Sequence, residues 1–264
     1  MLQPESTTQK LGALRSDISI TLHSRMGTML WSGRSPVYEN GKTVRSAITS
    51  MPKALKLLTQ IQRDAENDDP FADYYLLNFE KMVLAHREKM QHLISEIMER
   101  YAADIPEGID ISRCENITPV TYQILSNSQL GFKLIYLLND FDVYARTVAT
   151  AQHIALITRR EAAQLNDKGA TLLRQCFGVV ETYRHSGVTR QDAIEDNARY
   201  KEALSRFKLN SLPQEVLSGE LRAEFAPAIR NPSIKPVSEV SEIKGETAST
   251  ESFIEIKEVQ EDSL

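Results

Sequence analysis

A long apolar stripe in the first half of the chain constrains the fold more than any other feature. Seven positions recur at alternating spacings of three and four residues: Leu76, Phe79, Val83, His86, Met90, Leu93 and Ile97. This spacing keeps one face of an α-helix apolar over about three heptads. Asp69 before Pro70 is a favoured N-cap and first-turn pair, and Pro106 lies just beyond Asp104. We therefore predict a helix from Pro70 to about Asp104 that packs against a long antiparallel helix or a second chain.

Helix-opening signals divide much of the remaining chain. Pro52 follows Ser50 and Met51, Thr158 has the spacing of a capping box with Glu161, and Thr189 has a looser acidic version. Besides the long helix, the predicted helices cover 52 to about 66, 128–157, 160–177 and 190–207.

Two short segments alternate as β-strands do. In Ser16–Ser24 and in Thr118–Ile124, apolar residues occupy every second position. Neither segment has a neighbouring strand joined by a tight turn. An unpaired strand exposes backbone hydrogen-bonding groups, so each is expected to pair with the other or with a second chain.

These patterns predict a mainly α protein with a small β component. We expect one folded domain over 1–231, composed of a basic head that bears a ribbon (11–60) and a helical body (61–231). Residues 232–264 are rich in Ser, Thr, Glu, Pro and Lys, and we expect a disordered acidic tail there. Within that tail, Phe253–Ile256 alternates like a strand and is a candidate docking motif.

Charge is distributed unevenly along the chain. The net charge is −5, which alone disfavours a nucleic-acid-binding protein. Residues 1–60, however, contain eight Lys/Arg and three Asp/Glu, whereas residues 232–264 contain three lysines and eight acids. A basic head permits local attraction to phosphate on an acidic protein, and a fluctuation of surface charge explains the same numbers.

The composition indicates a cytoplasmic protein. Hydrophobic residues make up 41% of the chain, and no apolar run reaches the ~20 residues that cross a bilayer. The N terminus lacks the basic and apolar regions of a signal peptide. Cys114 and Cys176 are far apart in sequence and are expected to be reduced structural thiols.

No motif predicts catalysis, a cofactor or a metal ion. Gly41–Thr43 resembles the end of a phosphate-binding loop, but Pro36 stands where its first glycine belongs. His86 and His92 are six residues apart and cannot bind one metal ion from the same helix. His86 is interpreted instead as a polar residue that sets helix register. Capping and turn chemistry explains the acidic pair Asp68/Asp69. A solvated surface is expected for it and for Asp140/Asp142 and Glu195/Asp196.

The strand Ser16–Ser24 is the candidate for nucleic-acid binding. A two-stranded ribbon fits the DNA major groove, where short polar side chains reach base edges. The candidate contacts on this strand are Arg15, Ser19, Thr21, His23 and Arg25. The segment 24–32, closed by Gly33, is predicted to be a helix whose N terminus faces a phosphate. A strand that pairs inside the domain, with its polar face in water, is the alternative interpretation.

Four segments resemble one protein family. Residues 14–25, 131–142, 147–156 and 220–230 read LRSDISITLHSR, GFKLIYLLNDFD, TVATAQHIAL and ELRAEFAPAIR. Together they resemble the integrating-conjugative-element protein family that includes AcaB, the regulator of large multidrug-resistance conjugative plasmids. The resemblance spans about residues 11–230. It implies a ribbon-helix-helix activator of conjugative-transfer genes, in which two chains dimerise and each contributes one strand of the ribbon.

The resemblance leaves the position of the ribbon open. Thr118–Ile124, with Thr121 and Gln123 as candidate base contacts, is the alternative ribbon because it runs directly into a capped helix. Residues 110–161 around it carry five positive and five negative charges, which favours the more basic N-terminal strand.

Two functions remain in competition. The first is a homodimeric, DNA-binding transcriptional activator that binds double-stranded promoter DNA, with the acidic tail available to the transcription machinery or another regulator. The second is a helical adaptor of the conjugative transfer apparatus that does not bind DNA and works through its long apolar stripe and its tail.

Overall fold

The long helix predicted from the apolar stripe is present in the structure. The computed structural model describes residues 16–126 and 128–230. In chain order the elements are β1 (Ser19–Leu22), α1 (Arg25–Ser32), β2 (Val37–Glu39), β3 (Lys42–Arg45), α2 (Met51–Glu66), α3 (Pro70–Asp104), β4 (Val120–Gln123), α4 (Gln129–His153), α5 (Arg159–Thr182), α6 (Arg190–Ile194), α7 (Ala198–Phe207) and α8 (Gln214–Ser218). The prediction of a mainly α protein with a small β component is confirmed.

Helix α3 buries its apolar stripe inside the same chain. The Asp69 carboxylate caps its first turn by accepting hydrogen bonds from the amides of Phe71 and Ala72. Six stripe positions are buried: Leu76, Phe79, Val83, Met90, Leu93 and Ile97. His86, the seventh, is half-buried, and its Nδ1 lies 3.0 Å from the carbonyl oxygen of Leu172. A second chain is therefore not needed to cover the stripe.

Helices α4 and α5 cover that stripe in opposite directions. Arg87 pairs with Asp140, and Tyr101 further along α3 donates to the carbonyl oxygen of Thr147, so α4 runs in the same direction as α3. Helix α5 runs antiparallel to α3, as the pair Arg100–Glu161 near its start indicates. The expected long antiparallel partner is thus α5.

The C-terminal third attaches to the start of α3 through buried charge. Arg190, which is 2% exposed, pairs with Asp68 at 2.6 Å and with Asp73, and Arg222 also pairs with Asp73. Beside them, a second apolar cluster is formed by Phe71, Val188, Tyr200, Ala203 and Leu212. Removal of one member would leave a buried charge without its partner, so the pairs fix α6 against α3.

The structure differs from the sequence prediction at two places. The helix expected over 190–207 is two helices, because Asp196 adopts a left-handed conformation (φ 48°) and Asn197 then caps α7 through the amide of Tyr200. The β2–β3 hairpin was not predicted. Its turn is Asn40–Gly41, where both residues have positive φ (51° and 75°), as a two-residue type I′ turn requires.

The two predicted strands pair with each other. β1 and β4 form a two-stranded antiparallel ribbon in which Thr21 lies opposite Thr121 and Ser19 lies opposite Gln123. Both strands belong to one chain, so this ribbon forms without a second chain. Each strand leads into two helices, in the chain orders β1-α1-α2 and β4-α4-α5, with the β2–β3 hairpin inserted in the first.

The described residues belong to one compact unit. Within 16–126 and 128–230, no helix is long and apolar enough to cross a membrane. Both cysteines are free thiols, and burial raises the pKa of Cys176 to about 12, which keeps that thiol protonated.

Candidate nucleic-acid interface

The outer face of the ribbon combines the residues of both strand hypotheses. Directly opposite residues of an antiparallel pair point to the same side. Ser19, Thr21, Thr121 and Gln123 therefore share one face, and all four are exposed. The hydroxyl oxygens of Thr21 and Thr121 lie 2.9 Å apart. The two strands that the sequence offered as alternative ribbons therefore form a single polar surface.

The inner face of the ribbon packs onto the helical core, and Tyr122 packs on α1. Ile20 and Leu22 are 6% and 1% exposed, so β1 alternates strictly between core and solvent. The ring of Tyr122 stacks on that of Trp31 with centroids 4.7 Å apart and planes inclined by 22°. These contacts fix the orientation of the ribbon and leave its outer face exposed to solvent.

A buried carboxylate fastens the end of β1. Asp142, 2% exposed on α4, accepts hydrogen bonds from the amides of His23 at 3.1 Å and Ser24 at 2.8 Å. A Cβ at Gly27 would lie 2.8 Å from the Asp142 carboxylate, so glycine is what this approach requires. The interpretation of Asp142 as solvated surface is wrong, and so is that of Asp68 and Asp69, which are 2% and 3% exposed. Helical spacing gave no signal for Asp142, because its partners are 118 and 119 residues away.

The same carboxylate changes the role of α1. The helix expected over 24–32 is present, and Ser24 caps it by accepting from the amide of Gly27. A phosphate at this N terminus would meet the negative charge of Asp142, which disfavours it electrostatically. The predicted phosphate position at the start of α1 is therefore not supported.

The three remaining predicted DNA contacts, His23, Arg25 and Arg15, are not residues of the ribbon strands. His23 is half-buried, and its Nδ1 accepts from the amide of Asn116 at 3.2 Å, which ties β1 to the segment before β4. Arg25 is exposed on the first turn of α1 and forms no ion pair within the part of the chain that the structure describes. Arg15 lies outside the described residues.

Because the strands pair, the charge of their surroundings no longer favours one strand over the other as the DNA-binding ribbon. β4 was disfavoured because residues 110–161 are balanced in charge. In the structure β4 lies against β1, the strand that leads directly into Arg25. Both strands therefore share the surroundings of the basic head.

A buried acidic cluster lies at the junction of α2 and α3. Asp64, Asp69 and His185 each place one side-chain atom that is able to bind a metal ion within 4.8 Å of the other two. Tyr183 donates to Asp64 at 2.7 Å, and Ser186 donates to Asp69 at 2.6 Å. Burial, more than the nearby Asp64 carboxylate, raises the pKa of Asp69 to about 6. These hydrogen bonds give the carboxylates a structural role in joining α5 to the start of α3.

Comparison with known proteins gives one family and one fold. A protein-family model described as "Transcriptional regulator AcaB" matches residues 10–230. The crystal structure of selenomethionine-containing AcaB from uropathogenic E. coli matches with a TM-score of 0.51 at 13% sequence identity, over 78% of this chain and 95% of that chain. At this identity the structural match shows a shared fold. No match is found among curated proteins.

Proposed function

Because the chain belongs to the AcaB family of transcriptional regulators, we propose that it regulates transcription by binding duplex DNA with the β1–β4 ribbon. One observation carries this proposal. Ser19, Thr21, Thr121 and Gln123 stand exposed and side by side on a ribbon whose other face packs on the helical core. A free, polar, two-stranded ribbon is the shape that β-ribbon DNA-binding proteins insert into the major groove.

The side chains on the ribbon suit direct contact with bases. The amide of Gln123 is able to pair with both the N6 and N7 positions of adenine, and the threonine hydroxyls accept or donate hydrogen bonds. Their methyl groups offer apolar contact to thymine. Arg25 beside the ribbon is a donor for the DNA backbone, where arginine fixes the register of a protein without reading sequence.

The finer parts of the proposal rest on the resemblance. We propose that the DNA partner is promoter DNA of conjugative-transfer genes on a plasmid or integrative element, and that the chain activates them as a homodimer. Each subunit brings a complete ribbon, so a dimer would place two ribbons on half-sites one helical turn apart, about 34–36 Å. Dimerisation then serves the spacing of half-sites and not the formation of the ribbon.

The alternative of a helical adaptor loses its main support. That hypothesis depended on an apolar stripe open to a partner, and α4 and α5 bury the stripe. The ribbon face is polar and open, which suits nucleic acid better than an adaptor contact between helices.

The direct test is selection of bound fragments from a pool of random duplexes, with excess nonspecific competitor at stated salt. We expect enrichment of one sequence, which the double variant Thr21→Ala/Thr121→Ala no longer enriches. The matched control is Lys201→Gln on α7, a surface residue in the C-terminal third. Absence of binding to any duplex would overturn the proposal and return the adaptor to consideration.

A further inference from the structure

A groove lies between α2 and the ribbon. Its volume is about 810 Å³, which is within the range of sites that bind small molecules. Residues of α2 from Pro52 to Arg63 line one side, and β4 with the segment after it, as far as Ser126, lines the other. The groove therefore adjoins the strand that the proposed function places on DNA.

Most of the surface of this groove is apolar. The apolar residues that line it are Trp31, Leu55, Leu57, Tyr122 and Leu125. The rings of Trp31 and Tyr122 are stacked on each other, and Leu125 is 96% exposed. Apolar surface of this kind favours a ligand that has an apolar body, because covering it removes that surface from water.

The charged residues that line the groove are all basic. They are Lys53, Lys56 and Arg63, all on α2, and no acidic residue is among the described residues that line it. Lys53 pairs with Glu181 at 3.0 Å. Lys56 and Arg63 are exposed and form no ion pair within the part of the chain that the structure describes. Two positive charges of the groove are therefore available to an anion.

We propose that this groove is an effector site for a small organic anion, whose acidic head group lies beside Lys56 or Arg63 and whose apolar body covers the leucines and the aromatic rings. The positive charge selects an anion, and the apolar lining selects an organic ligand over inorganic phosphate. The volume admits a single small molecule.

The position of the groove gives the ligand a regulatory effect. Gln123 lines the groove and also lies on the outer face of the ribbon. An anion in the groove stands within a Debye length of DNA bound to that face, so it repels the phosphates and offsets the two free cations. The ligand therefore lowers the affinity for DNA. This regulatory effect rests on the proposed function, whereas the ligand site itself does not.

The binding test uses two fluorescent dyes that share one apolar body. Anilinonaphthalenesulfonate carries a sulfonate, and N-phenylnaphthylamine lacks it. We expect one saturable site on the parent protein, with the sulfonate dye bound about three- to tenfold more tightly because of the two exposed cations. Lys56→Gln/Arg63→Gln should remove this preference and keep the affinity for the neutral dye. Leu125→Ser should weaken the binding of both dyes.

The matched control is Arg199→Gln/Lys201→Gln on α7, which also removes two positive charges but does not line the groove. This variant should bind both dyes as the parent does. Equal affinity of the parent for the two dyes, or an unchanged preference in Lys56→Gln/Arg63→Gln, would overturn the ligand site.

The regulatory test measures binding of the selected duplex with and without saturating dye. We expect the sulfonate dye to weaken duplex binding several-fold and the neutral dye to weaken it less. The duplex should weaken binding of the sulfonate dye by the same factor, because the coupling is reciprocal. An unchanged affinity for the duplex would overturn the regulatory effect.

Two further outcomes separate this inference from the proposed function. If Lys56→Gln/Arg63→Gln weakens duplex binding without dye and keeps the preference for the sulfonate dye, the two cations contact the DNA backbone and the inference is wrong. If the parent binds the dyes as expected but binds no duplex, the ligand site stands and the proposed function fails.

Discussion

The hydroxyl oxygens of Thr21 and Thr121 lie 2.9 Å apart although 100 positions separate the two residues in the chain. Each hydroxyl uses part of its hydrogen-bonding capacity on the other and keeps the rest for solvent or a ligand. The pair therefore acts as one polar unit at the centre of the ribbon.

Loss of either hydroxyl is expected to weaken sequence-specific binding. We expect Thr21→Ala and Thr121→Ala each to cost about 1–3 kcal/mol against the selected duplex and little against random DNA, as a base contact does. The double variant should cost less than the two single costs together, because the residues share a hydrogen bond. Fluorescence anisotropy titrations at one salt concentration measure all three.

A substitution on the inner face is the control for this ribbon. Ile20→Ala should lower the free energy of unfolding by about 2–5 kcal/mol and affect DNA binding only through unfolding. If both threonine variants bind the selected duplex like the parent, the ribbon does not read bases.

Replacement of Arg25 should affect all duplexes alike. An exposed arginine that contacts a phosphate contributes to specific and nonspecific binding in the same measure. We expect Arg25→Ala to weaken both and to lower the slope of log affinity against log salt by about one. An unchanged salt slope would place Arg25 away from the DNA.

Asp142 is expected to be the ribbon's main polar support. Asp142→Asn removes the charge that accepts two backbone hydrogen bonds, and we expect a loss of about 1.5–3 kcal/mol in the free energy of unfolding. Urea denaturation measures it. The control is Asp167→Asn, which breaks an exposed pair with Arg174 and should cost at most about 1 kcal/mol. Equal costs for the two variants would contradict the role given to Asp142.

Asp69 should make the protein less stable as pH rises from about 4 to 6. Burial raises the pKa of Asp69 from its ordinary value of 3.8 to about 6 in the folded protein, so the folded state binds more protons in this window. The free energy of unfolding then falls with rising pH, by roughly 3 kcal/mol for a shift of about two units. Asp69→Asn keeps an oxygen that caps α3 but removes the titration. Denaturation at several pH values should show a flatter profile for the variant, and parallel profiles would refute the assignment.

Truncation tests the C-terminal segment. Deletion of residues 232–264 removes a net charge of −5. Its composition predicts few buried contacts, so we expect a nearly unchanged melting temperature and tighter nonspecific DNA binding. A large fall in the melting temperature would show instead that the segment packs on the domain.

Local signals predicted the helices well and the sheet pairing poorly. Caps and apolar periodicity act within a few residues, and Asp69–Pro70 and Ser50–Pro52 therefore marked α3 and α2 correctly. The alternation that marked β1 and β4 says that each is a strand but does not say which strand is its partner. Because the partners are 100 residues apart, no tight turn between them signalled the pairing.

The candidate interface shows the same limit. Alternation alone predicts that Thr21 and Thr121 point outward, but it does not predict that they lie next to each other on one face. The Asn40–Gly41 turn was detectable, since this dipeptide between short alternating runs is a strong hairpin signal. The same residues, Gly41–Thr43, also resemble the end of a phosphate-binding loop, and that resemblance competes with the hairpin signal.

A ribbon made by one chain has two unlike edges. When two identical strands form a ribbon, both halves offer the same side chains, and a palindromic DNA sequence matches them. Here Ser19 stands opposite Gln123, so the two halves of the face differ. The base pairs beneath one subunit then need not equal their own inverted complement. A single bound subunit would have a direction on the DNA, and a promoter that carries its site in reverse would present the protein to polymerase the wrong way round.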